Sequence, residues 1–104
     1  MVQTVKIELD PAIASKFDAY IQLFGSKETL FDEFIAYHIH RIKRSIARMQ
    51  LDLEIYEKKY NMSTFDFYKQ FEAGVLGDEN DFMLWAGVYE LQLDTKNKLS
   101  QLLL

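Results

Sequence analysis

Residues 2–25, VQTVKIELDPAIASKFDAYIQLFG, decide how the rest of the chain reads. From Val2 to Leu9 apolar and polar residues alternate, with Val5, Ile7 and Leu9 on one side and Thr4, Lys6 and Glu8 on the other. That is the period of a half-buried strand. Asp10 and Pro11 then suit the N-cap and first position of a helix, Ile13, Phe17, Ile21 and Phe24 recur at helical spacing, and Gly25 supplies a stop, so a helix is predicted over 11–24. A lone strand leaves a row of backbone donors and acceptors unpaired and one apolar face uncovered. No second strand signal occurs in the chain, so the expected pairing is with the same strand of another copy, an antiparallel ribbon on a two-fold axis.

Downstream, Ser26 is placed to cap a second helix, and no proline or glycine interrupts the chain until Gly74. Phe31, Ile35, His38, Ile42, Met49, Leu53, Tyr56 and Tyr60 fall on one stripe at near-heptad spacing. This predicts one long helix, two helices with a bend near Gln50 being the alternative. Asn61 to Thr64 form a polar break in which Ser63 caps a third helix over 64–73, with Phe67 and Phe71 sharing its inner face. A loop from Val75 to Asp81 ends in the acidic run Asp78-Glu79-Asn80-Asp81, where carboxylates favour a helix start. A fourth helix follows towards Leu104, with Phe82, Trp85 and Tyr89 on one side and Leu84, Val88 and Leu91 on another. The fold expected is mainly α, with one N-terminal β-strand pairing across a homodimer and a helical C-terminal extension.

The 104 residues fit one domain or one compact unit with an extension. Cysteine is absent, which rules out disulfides and thiolate metal sites and suits a reducing compartment. The start of the chain has no basic, apolar leader, and no run approaches the roughly 18 apolar residues that cross a bilayer, so a soluble cytoplasmic protein without a membrane partner is expected. A formal net charge of −4 argues against wholesale nucleic-acid binding and confines any DNA contact to a local patch. Half the chain is apolar, with eight Phe, six Tyr and one Trp, a large apolar surface that needs covering.

Little in the sequence carries reaction chemistry. His38 and His40 lie two apart, whereas two ligands on one helix need a spacing of three or four, so no metal site is expected and His38 reads as a core or interface histidine. The acidic run is no calcium loop, because a loop opening at Asp78 would need Gly and Glu where Met83 and Tyr89 stand. No nucleophile motif, phosphate loop or metalloprotease pattern appears, so neither an enzyme nor a cofactor is expected. Arg41, Arg44 and Arg48 stack on one side of the long helix, with no acidic residue between Glu33 and Asp52. This basic patch suits either a DNA phosphate or acidic partner surface, or a solvated face. Phe65, Phe67, Tyr68, Phe71, Trp85 and Tyr89 make the last third strongly aromatic, as core or as interface anchors.

The alternating strand, LDPAIASKFDAYIQLFG and SKETLFDEFIAYHI together resemble the ribbon-helix-helix family over roughly the first 45 residues. The resemblance implies a dimer held by Val5, Ile7, Leu9, Phe31, Ile35 and Ile42. It also implies DNA contacts from Thr4, Lys6 and Glu8 in the major groove and from Ser26 and Lys27 to phosphate, with Glu8 a departure from what DNA favours. The run from Tyr56 to Leu99 resembles the C-terminal segment of prokaryotic antitoxin-side proteins. That implies a dimerising and DNA-binding head over 1–50 and a toxin-binding extension over 51–104, with Phe67, Phe71, Trp85 and Tyr89 as partner anchors. The partners so expected are a second copy, a cognate toxin and operator DNA. A free-standing regulator of the same fold and a purely structural helical dimer are the alternatives.

Overall fold

The computed structural model describes residues 2–104. Among them there are four helices and no strand: α1 (Pro11–Phe24), α2 (Lys27–Tyr60), α3 (Thr64–Glu72) and α4 (Asn80–Leu102). The mainly helical expectation therefore stands, and the N-terminal ribbon does not. Residues 2–10 run to α1 without regular structure, and Val5, Ile7 and Leu9 are all exposed. Alternation records which residues share a side of an extended segment; a strand also needs a ladder partner, and no described residue supplies one. The ribbon-helix-helix reading is overturned with it.

The helix ends lie where small polar residues and glycines put them. Asp10 takes the N-cap position of α1 without a side-chain cap bond, Pro11 opens the helix, and Gly25 closes it in the left-handed region at φ +91°. Ser26 Oγ accepts from the Thr29 N–H at 3.1 Å and starts α2. With no breaker inside it, α2 continues for 34 residues as one helix and not as two that divide near Gln50. Asn61 at φ +51° ends it, Ser63 caps α3 by accepting from Asp66 N–H at 3.1 Å, and Gly74 at φ +73° follows α3.

The chain divides into two compact units, Met1–Tyr37 and His38–Leu104, a division that falls inside the stretch 1–50 taken from the sequence as one head. In the first unit Ala14, Phe17, Ile21 and Leu30 are half-buried, the Phe17 and Phe31 rings meet at 5.7 Å, and no residue from 2 to 37 is fully buried. The second unit has a core: Leu53 of α2, Phe67 of α3, and Trp85 and Ala86 of α4, with Tyr56, Tyr60, Phe71, Phe82 and Tyr89 packed around them. Gln92 ties α4 to α2 by donating to Gln50 Oε1 at 3.0 Å and to the Ile46 carbonyl at 3.5 Å.

Candidate functional site

Partner recognition was expected from Phe67, Phe71, Trp85 and Tyr89. The structure brings these four together, but as the centre of the second unit. Trp85 and Phe67 are 0% exposed and stacked 3.8 Å apart, while Phe71 and Tyr89 are half-buried against them. Aromatic rings one turn apart make a continuous apolar stripe, and α2, α3 and α4 close over it instead of leaving a groove. Phe67 and Trp85 are core residues of the second unit, with Phe71 and Tyr89 packed at its margin. The indole N–H of Trp85 donates to Thr64 Oγ1 at 3.0 Å, and the Thr64 backbone N–H donates to Glu57 Oε2 at 2.7 Å. The one polar atom of the ring is thus satisfied inside the core.

The edge of this unit carries a charged hydrogen-bonded cluster. Asp81 Oδ2 accepts from Lys59 Nζ and from the Tyr60 hydroxyl, each at 2.6 Å. Lys59, then Tyr60, hold the Asp81 carboxyl below its usual range, and the same hydrogen bonds raise Lys59 and Tyr60 above theirs. Tyr68 donates to Glu90 Oε1 at 2.7 Å, which pushes its phenol well above the ordinary value. The sequence reading took the acidic run only as a helix start. Glu79 makes no side-chain cap bond, and the role of Asp81 across 22 residues carries no local signal.

The remaining candidates stand on the surface. Thr4, Lys6 and Glu8 are exposed on the segment before α1, with Lys6 and Glu8 in an exposed ion pair at 3.3 Å. The ribbon that would present them to DNA is not formed. Ser26 is engaged in capping α2, beside the exposed Lys27. Arg41, Arg44 and Arg48 are exposed along α2, as are His38 and His40. Of the expected dimer residues, Phe31 and Ile35 are exposed with Val5, Ile7 and Leu9, and Ile42 is half-buried in the second unit. Among the described residues no three of His, Cys, Asp and Glu are grouped as a metal site would need, and no helix is long and apolar enough to cross a membrane. A shallow cleft of about 410 Å³, lined by Glu54, Glu57, Lys58, Asn61, Met62 and Ser63, opens widely to solvent.

Sequence reasoning named Leu84, Val88 and Leu91 as a second side of α4 but gave that side no role and left out Met83. Trp85, Ala86 and Gln92 of this helix are buried, yet Met83, Leu84 and Leu91 are exposed at 59%, 49% and 56%. With Gly87 they make a second stripe on the side turned from the core, rimmed by the exposed Glu90 and Asp94. Helical spacing from Met83 to Leu91 was the signal available. No protein family, no curated protein and no solved structure matches this chain.

Proposed function

We propose that this chain is a binding protein of the antitoxin type, which seats a toxin-like protein on its C-terminal unit and thereby covers that partner's working surface. The observation that carries the reading is the double-sided apolar character of α4. One side fills the core around Trp85, and the other leaves Met83, Leu84 and Leu91 in solvent. A surface helix normally has one apolar stripe, and a second one rimmed by polar residues is what a helix-in-groove contact uses. The resemblance of residues 56–99 to antitoxin-side proteins makes a toxin the class of partner to test first. Operator binding through a ribbon drops out of the proposal with the ribbon itself. The burial of Phe67 and Trp85 favours, as a second reading, a purely structural helical assembly in which no partner occupies α4.

The two separate in a growth assay. The chain is co-expressed with the protein encoded by the adjacent reading frame, and growth arrest by that protein is scored with the parent and with Leu84→Glu/Leu91→Glu. Both positions face solvent, so the variant should melt near the parent yet fail to relieve the arrest. Equal relief by both would remove α4 from the function, and no arrest or capture at all would leave the structural reading.

A further inference from the structure

Residues 2–37 are rich in large apolar side chains and fully bury none of them. A 14-residue helix such as α1 is marginal on its own in water and depends on an apolar face being covered. Only half of that face is covered here. Ala14, Phe17 and Ile21 turn inward, while Ile13, Tyr20 and Phe24 of α1 and Phe31 and Ile35 of α2 stand exposed, Ile13 and Ile35 at 49% and 50%. We propose that a second copy of the chain covers this face, the same patch of each protomer meeting the other across a two-fold axis. The inference goes beyond the partner reading and stands whether or not α4 holds a toxin.

The area fits that occupant. At their present exposure those five side chains offer on the order of 500 Å² per protomer, so two copies would bury about 1,000 Å², the lower bound of a specific interface. A patch of aliphatic and aromatic groups is self-complementary, so one surface used twice needs no matching set of charges. A cover for a unit without a core must also be present whenever the chain is folded, and a second copy is made along with the first. A lipid surface fits less well, because α1 carries a single cation, Lys16, offset by Asp18, where membrane-lying helices carry a strongly basic polar side.

Light scattering on the full chain, across a range of concentrations, tests this together with Ile13→Glu/Ile35→Glu. The lone tryptophan, Trp85, lies in the core of the other unit, so its emission reports separately whether that unit is folded. The parent should run at twice its 12.3 kDa chain mass. The variant should dissociate at least about 100-fold more readily with Trp85 emission unchanged, two buried charges entering the interface from each side. Hydrogen exchange supplies a readout that needs no variant: protection of residues 11–24 should fall on dilution while that of α3 and α4 holds. A parent that stays monomeric at high micromolar concentration overturns the proposal, as does a dimer indifferent to both substitutions. A dimer that fails the growth assay overturns the partner reading alone; a monomer that passes it overturns this one alone.

Discussion

Trp85 lies parallel to Phe67, with 3.8 Å between ring centroids and 5° between planes, and both are removed from solvent. Two large rings face to face in a core of few residues concentrate much of the unit's stability in one contact. Trp85→Ala should therefore cost about 3 to 5 kcal/mol, read from urea unfolding followed by circular dichroism. A cost below about 1 kcal/mol would place the core elsewhere.

Thr64 anchors that stack through one hydrogen bond. Thr64→Val keeps the side-chain volume but leaves the indole N–H buried without an acceptor, at a cost of about 1 to 3 kcal/mol. Combining it with Trp85→Phe, which removes the donor, should cost measurably less than the two single changes added together. Strict additivity would mean that the hydrogen bond contributes nothing.

The Lys59–Asp81–Tyr60 cluster gives stability a pH dependence with a definite sign. The Asp81 pKa is lower in the folded chain than in the unfolded one, so its contribution is complete above about 4 and is lost as pH falls through the lowered folded value. Lys59 and Tyr60 are raised, so what they add is complete below their unfolded values and is lost as pH climbs through the raised ones. Asp81→Asn should flatten both limbs of a plot of urea midpoint against pH. A parent whose midpoint does not move on acidification through this range would sink the assignment.

Two glycines should respond in opposite directions. Gly25 ends α1 at φ +91°, so Gly25→Ala strains the turn and should destabilise by about 1 kcal/mol. Gly87 lies inside α4 with open space where a Cβ would go, and Gly87→Ala should stabilise by roughly 0.5 to 1 kcal/mol. Thermal melts of the two variants should move to opposite sides of the parent.

The helix ends were legible because single residues set them. Gly25 is needed for the left-handed turn, and Ser26 and Ser63 each cap the helix that follows. Val2 to Leu9 misled because alternation is a property of one segment and a strand is a property of two. The spacing of Phe67, Phe71, Trp85 and Tyr89 announced an apolar stripe, and a stripe is written identically whether this chain or another covers it. Contacts between distant residues, such as Asp81 with Lys59 and Gln92 with Gln50, leave no local pattern to read.

α2 crosses from the first unit into the second as one uninterrupted ladder of hydrogen bonds, and its first fully buried side chains are Met49 and Leu53. Disorder entering at Lys27 meets no glycine or proline to halt it before that anchorage. A protease finding the first unit uncovered would have a cleavable leader attached to a resistant remainder. Limited digestion should therefore cut among residues 2–37 first and leave the core around Trp85 intact.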